Sequence, residues 1–129
     1  LAEAFAEHMH ERVRKEFWGY AAEENFSNEQ LIKERFTGIR PAPGYPACPD
    51  HSAKEELFRI LNAEEDTGVQ LTQNFAMYPT ASVSGYYLSH PSAHYFGVSK
   101  IGQDQFNSYV SRRHVPLDLA KKYLSSSIK

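Results

Sequence analysis

Residues 40–51, Arg-Pro-Ala-Pro-Gly-Tyr-Pro-Ala-Cys-Pro-Asp-His, constrain the fold most, because they hold four of the chain's seven prolines. Each proline fixes its own φ, removes a backbone donor and biases the preceding residue away from the helical region. Such a stretch can be neither helix nor central strand. It reads as a stiff loop whose shape is set before any ligand arrives, with Gly44 giving a tight turn or a close backbone approach. Arg40 at its start, Tyr45 in the middle and Asp50-His51 at its end suit a binding site, because little ordering entropy remains to be lost. A structural loop with no ligand is the alternative.

Helical periodicity precedes this loop. Leu1, Phe5, Met9, Val13 and Phe17 recur every four residues, which predicts an amphipathic helix that packs this stripe in the core and stops at Gly19. Ser27-Asn28-Glu29-Gln30 has the capping-box form and opens a second helix. Leu31, Ile32 and Phe36 would form its buried side, Glu34 would stand in its last turn, and Gly38 would end it. After the loop, Asp50 or Ser52 can cap a third helix with Leu57, Ile60 and Leu61 facing inward, followed by an acidic turn from Asn62 to Gly68.

The period then changes. Val69–Thr72, Ala81–His90 and His94–Lys100 read as strands, the last two as an antiparallel hairpin around Ser89-His90-Pro91-Ser92-Ala93. Small residues from Ser82 to Ser89 leave room for a ligand or another backbone. Two helices close the chain: Gln103–Arg112 with Phe106, Tyr109 and Val110, then Leu117–Leu124 begun at Pro116. Helices, strands and helices in that order predict a single α+β domain over residues 1–129, a small antiparallel sheet with flanking helices.

Composition limits the function classes. The net charge of −2 and pI near 6.3 argue against a general nucleic-acid binder. No apolar run is long enough to span a bilayer, so no membrane partner is expected. One cysteine excludes an internal disulfide and fits a reducing compartment. Cys48 and His51 have C-x-x-H spacing, but no second pair completes a four-ligand zinc site, so no metal is expected. A nucleophilic Cys48 is a weaker reading than a packed, unreactive one. His90 and His94 flank a turn containing Pro91 and are expected to hydrogen-bond locally. No glycine-rich phosphate loop is present. The clusters Arg12/Arg14/Lys15 and Arg112/Arg113/His114 read as solvated faces.

A polar small-molecule site remains. Arg40 can hold a carboxylate bidentately. Glu3 or Glu34 can attract an amino group or a cationic centre, and Tyr45, Tyr95 or Phe96 can stack on a flat ring or face a cation. Together these groups suit a zwitterionic ligand with an aromatic part.

Two long motifs carry a family resemblance. Gly38-Ile39-Arg40-Pro41-Ala42-Pro43-Gly44-Tyr45-Pro46-Ala47-Cys48-Pro49-Asp50-His51 is similar to a loop of the reactivation domain of cobalamin-dependent methionine synthases. Ser84-Gly85-Tyr86-Tyr87-Leu88-Ser89-His90-Pro91-Ser92-Ala93-His94-Tyr95-Phe96, followed by Val98, Ile101, Asp104 and Gln105, resembles its second signature, and Phe17-Trp18-Gly19-Tyr20 fits the segment before the first. The resemblance runs over nearly the whole chain. The family's domain begins upstream of Leu1, so the chain resembles its C-terminal portion. An acidic residue that helps hold the donor's amino group in the family lies in that upstream part.

This resemblance implies a module that binds S-adenosylmethionine as methyl donor for the reductive remethylation of oxidised cobalamin, in an enzyme of methionine biosynthesis from homocysteine. It implies cobalamin held by another module, a cytoplasmic location, and flavodoxin or a flavoprotein reductase as partner. Catalytic residues are not expected in the chain itself, and the chain alone is expected to be inactive. Carried over by position, Arg40 would hold the donor's carboxylate. Ala42 and Tyr45 would contact adenine or ribose, Tyr95 and Phe96 would line the pocket, and Glu34 and Glu3 would stand nearby. The rival is an interaction domain that docks a flavodoxin-like or cobalamin-binding partner without using the donor.

Overall fold

The computed structural model describes residues 1–128. Among these residues six α-helices are formed: α1 (Ala2–Arg12), α2 (Asn28–Ile32), α3 (Ala53–Leu61), α4 (Ala63–Thr67), α5 (Gln103–Arg113) and α6 (Leu117–Tyr123). A π-helical turn, Val13–Phe17, continues α1. Strands β1 (Gln70–Leu71) and β2 (Met77–Tyr78) pair antiparallel, with Gln70 opposite Tyr78 and Leu71 opposite Met77. Helices together with a small two-stranded antiparallel sheet make the fold α+β, as expected. Contacts group the chain into two units: Leu1–Pro41 with Ala81–Tyr95, and Ala42–Thr80 with the chain from Phe96 onward.

In the first unit, α1 and the turn that continues it bury a face neighbouring the one their periodicity suggested. Leu1, Phe5 and Phe17 are exposed, whereas His10 and Arg14 are 0% and 1% exposed. Phe36 covers both, with its ring edge-on to His10 at 5.1 Å and its face 4.0 Å from the Arg14 guanidinium carbon. The Arg14 charge is matched by Glu24, which accepts from Nε at 2.7 Å and Nη2 at 2.6 Å. A bidentate pair of this kind is what makes a buried guanidinium tolerable. The apolar stripe predicted as core is therefore solvent-facing at most of its positions, because Phe36 and the Arg14–Glu24 pair occupy the neighbouring face.

The Ser27 capping box is present. Gln30 N donates to Ser27 Oγ at 3.4 Å and Ser27 N donates to Gln30 Oε1 at 2.8 Å. The helix it opens is shorter than expected. It ends at Ile32, and Glu34 takes a left-handed φ of 50° rather than standing in a last turn. The reason is burial. Ile32 is 82% exposed and Phe36 is buried, yet one continued helix would place these two on the same face. The turn at Glu34 lets Phe36 point inward.

The predicted hairpin of 81–90 with 94–100 is not formed. The His90–Ala93 turn exists, closed by Ala93 N to His90 O at 2.9 Å. However, the first arm hydrogen-bonds elsewhere. Ile39 N donates to Leu88 O at 2.9 Å, Leu88 N to Ile39 O at 3.0 Å, and Tyr86 N to Pro41 O at 2.9 Å. Ser82, Ser84, Gly85 and Ser89 offer little side chain for a sheet to pack. The segment pairs with the start of the proline loop instead. Gly38 permits that approach, since a Cβ there would lie 2.4 Å from the Leu88 carbonyl oxygen and its φ is +92°.

In the second unit, Phe106, Ala120 and Leu124 form the core, with Ile101, Tyr109, Val110, Val115 and Ile128 packed around them. Burying a side chain of Phe106's size stabilises by about 1.5–3 kcal/mol. Gln105 Oε1 accepts from Gly102 N at 2.8 Å and fastens the start of α5. Pro116 precedes α6 as expected. The acidic Asn62–Gly68 stretch, read as a turn, contains α4, entered through Asn62 at φ 49°. On α3, Ile60 and Leu61 are exposed and Lys54 is buried, as is Ser52 just before the helix. Lys54 Nζ donates to Phe75 O at 2.9 Å and to His51 Nδ1 at 3.0 Å, and these bonds hold it inward. Met77–Tyr78 pairs as a strand that periodicity had not marked.

Candidate functional site

Arg40 is the centre of the candidate site in the first unit. The backbone pairing of Ile39 and Pro41 with Leu88 and Tyr86 fixes the Arg40 main chain. Its amide donates to the Tyr95 hydroxyl at 2.9 Å, across 55 positions of sequence. Two residues singled out from separate motifs thus meet directly. With one hydroxyl lone pair taken by the amide, Tyr95 keeps its own O–H as a donor.

The Arg40 guanidinium reaches α1. Nη1 donates to Glu7 Oε2 at 3.0 Å, and Nη2 donates to Glu7 Oε1. Nη1 also lies 3.4 Å from His10 Nδ1. A guanidinium has only donors, so Nδ1 accepts and the His10 proton sits on Nε2. That Nε2 is buried with no hydrogen-bond partner among the described residues. Leaving such a donor unpaired costs about 1–3 kcal/mol, so the ring is kept for its other nitrogen or for its packing. The ring lies 5.1 Å from that of Tyr87 as well as from that of Phe36.

Electrostatics follow the geometry. Burial, reinforced by the Arg14 and Arg40 charges, pulls the His10 pKa from 6.5 to about 4, so the ring is neutral near pH 7. The Arg40 hydrogen bonds hold the Glu7 carboxyl below its ordinary range. Burial raises the Tyr87 hydroxyl against the pull of Arg40. Arg40 is partly accessible, its side chain 24% exposed, and Glu7 is more so at 61%. A guanidinium held by Glu7 and still partly exposed can receive a carboxylate from solution.

Glu3 is exposed on α1, one turn before Glu7 and on the same helix face. Glu34 is exposed at its left-handed turn. Among the described residues neither forms a hydrogen bond or ion pair with Arg40. Ala42, Tyr45 and Phe96 belong to the second unit. There, Tyr45 is exposed in a tight turn in which Gly44 N donates to Cys48 O at 2.7 Å and Cys48 N to Tyr45 O at 2.8 Å. Glu7 and His10 were not singled out as site residues from sequence. The spacing of His10 and Arg14 on one helix face was the available signal, and the apolar stripe on the neighbouring face obscured it.

The end of the proline loop is anchored within the second unit. Asp50 Oδ1 accepts from Ser52 N at 2.8 Å and Ser52 Oγ at 2.6 Å, and Oδ2 accepts from the Tyr109 hydroxyl at 2.7 Å. Arg113 Nη2 donates to Ser52 Oγ at 3.0 Å. Burial first, and the Asp50 bond second, push the Tyr109 hydroxyl up to about 12. Arg113, read as a solvated face, is part of this network. Cys48 is half-buried with its thiol pushed up, mainly by burial, which opposes a nucleophilic role. His90 Nδ1 accepts from Ser92 N at 3.1 Å, and His94 Nδ1 lies 3.0 Å from Ser92 O. Among the described residues no cluster of three or more His, Cys, Asp or Glu is poised for a metal. No helix among them is long and apolar enough to cross a membrane.

Residues 1–114 match the family described as vitamin B12 dependent methionine synthase, activation domain. A crystal structure of the MetH reactivation domain bound to AdoHcy is similar to this chain, with 51% sequence identity and a TM-score of 0.94 over 98% of the chain. The chain spans 39% of the length of that relative.

Proposed function

The chain belongs to the activation-domain family of vitamin B12-dependent methionine synthases, and from that premise we propose that it binds S-adenosylmethionine through Arg40 and Tyr95. The observation that carries this is the junction of the two motifs, where the Arg40 amide meets the Tyr95 hydroxyl at 2.9 Å and the Arg40 guanidinium is already aimed by Glu7. The residues fit the group: a fixed guanidinium takes a carboxylate, and a tyrosine hydroxyl at the Arg40 amide adds a donor. The AdoHcy in the similar crystal structure has the same amino-acid and nucleoside parts. When bound, S-adenosylmethionine supplies an activated methyl group for returning reduced cobalamin to its methylated form. Arg40 fixes the amino-acid end of the donor. Glu3 and Glu34 supply negative charge that favours a cationic ligand. Ala42, Tyr45 and Phe96 are proposed as contacts on the motif likeness alone.

In the whole enzyme, cobalamin is held by another module, and an electron from flavodoxin or a flavoprotein reductase makes the remethylation reductive. The chain then acts in the cytoplasm as a donor-presenting part of a methyltransferase of methionine biosynthesis, with no chemistry of its own in isolation. Calorimetric titration of S-adenosylmethionine tests the central assignment. Arg40→Ala is expected to weaken binding about a hundredfold, as for loss of a hydrogen-bonded, partly buried charge partner. Arg40→Lys keeps the charge but loses the fork, and should fall between. Equal binding by all three proteins removes Arg40 from the site. A docking module that ignores the donor would instead show no saturable binding, and would capture its protein partner with an affinity that falls as salt rises.

A further inference from the structure

The guanidinium of Arg40 has five N–H donors. Nη1 carries two of them, directed to Glu7 Oε2 and His10 Nδ1, and Nη2 gives one to Glu7 Oε1. Three donors are therefore held by α1. The two without a partner among the described residues, Nε–H and the second Nη2–H, are parallel and lie on one edge of the plane. A carboxylate fits that edge with two hydrogen bonds.

We propose that Glu7 and His10 are positioning residues that hold the end of the Arg40 guanidinium, so that a ligand carboxylate is received side-on, at Nε and Nη2. Glu7 is then a permanent neighbour of the ligand rather than a competitor that must leave. Its negative charge would repel an incoming carboxylate if Arg40 were absent, so the two act as one unit. His10 contributes a neutral acceptor where a carboxylate would over-compensate the charge. Its unpaired, buried Nε2–H is the cost of presenting Nδ1 to Arg40. Arg14, one turn after His10, is closed on Glu24 from the segment that follows the helix, so Glu24 does not draw Arg40 away. This assignment rests on Arg40 receiving the donor's carboxylate, as proposed above.

Two measurements on the chain separate the two ideas. The first uses no ligand. Rotation of the Arg40 guanidinium, read from its side-chain nitrogen and proton NMR signals, should be slow in the parent chain, with Nη1 and Nη2 resolved. Glu7→Gln and His10→Leu should speed it until those signals merge, whereas His10→Asn, which keeps an acceptor near the Nδ1 position, should retain the resolved signals. Unchanged rotation in Glu7→Gln overturns the positioning role. The second compares S-adenosylmethionine with its decarboxylated analogue. The parent chain should prefer the carboxylate-bearing ligand, and Glu7→Gln should lose about tenfold of that preference, the size expected for disturbing a charged hydrogen bond. Tighter binding by Glu7→Gln would make Glu7 a competitor and overturn the proposal. A parent chain with slow rotation but no preference for the carboxylate overturns Arg40 as the carboxylate site, and side-on reception with it. Preference retained in both Glu7→Gln and His10→Leu overturns the positioning role alone.

Discussion

His10 is a polar residue that burial has turned into a fixed neutral acceptor. Arg14, Arg40, Glu7 and Glu24 are the charged groups around it. Its pKa is about 4 in the folded chain against 6.5 for a free imidazole, so the unfolded chain binds the proton first. The stabilisation from keeping His10 neutral is whole above pH 6.5 and is lost as pH falls from there toward 4. Between pH 7 and 5 the loss is on the order of 1–2 kcal/mol. His51 is also lowered, by desolvation first and Lys54 second, and acts in the same direction. Glu7 is lowered from 4.5 by Arg40 and adds its share only at more acid pH. Urea unfolding as a function of pH should therefore show stability declining below pH 6.5, and His10→Leu should flatten most of that slope. An equally steep slope in His10→Leu would assign it to other groups. The sequence named Arg40 and Tyr95 because each sits in a motif with plain chemistry. It hid His10 and Glu7 because helical periodicity marks apolar residues, and the buried face of α1 is polar.

Elements were legible where their signals are local. The capping box at Ser27, the start of α6 at Pro116 and the extent of α5 need only neighbouring residues. The hairpin was not, because alternation and a turn cannot say which backbone a strand will pair with. Here the partner is Ile39–Pro41, and Gly38 makes room for it. Substituting Gly38→Ala forces a Cβ to 2.4 Å from the Leu88 carbonyl oxygen at a φ of +92°. The bonds between Ile39 and Leu88 must lengthen, and Arg40 moves with them. The expected cost is about 2–3 kcal/mol or more, combining left-handed strain with the clash. Chemical unfolding measures it, and S-adenosylmethionine binding should fall in the folded protein as well. A Gly38→Ala chain as stable and as tightly binding as its parent would show that this pairing does not hold Arg40.

At the scale of the molecule, apolar burial is modest and unevenly spread. Among the described residues the buried hydrophobic ones are Phe36 and Ile39 in the first unit, and Phe106, Ala120 and Leu124 in the second. The first unit relies on a polar interior around Arg14, Glu24 and His10. The second relies on α5 closing against α6. Ile101 N donates to Ser127 O at 2.8 Å, and Lys100 Nζ to Ser126 O at 2.9 Å, so the last residues described also fasten the chain that leads into α5. His114 caps α5 in a left-handed turn at φ 51°, which is a natural point to cut. A chain ending there keeps Phe106 but loses Ala120, Leu124 and Ile128 from around it. Each large side chain uncovered or removed forfeits about 1.5–3 kcal/mol, which is a large fraction of a domain's net stability of about 5–15 kcal/mol. Amide exchange in α5 should then approach the rate of an unfolded chain. The milder Leu124→Ala should destabilise by about 2–5 kcal/mol with α5 still protected. Full protection of α5 in the shortened chain would mean that the helix is held by contacts other than this core.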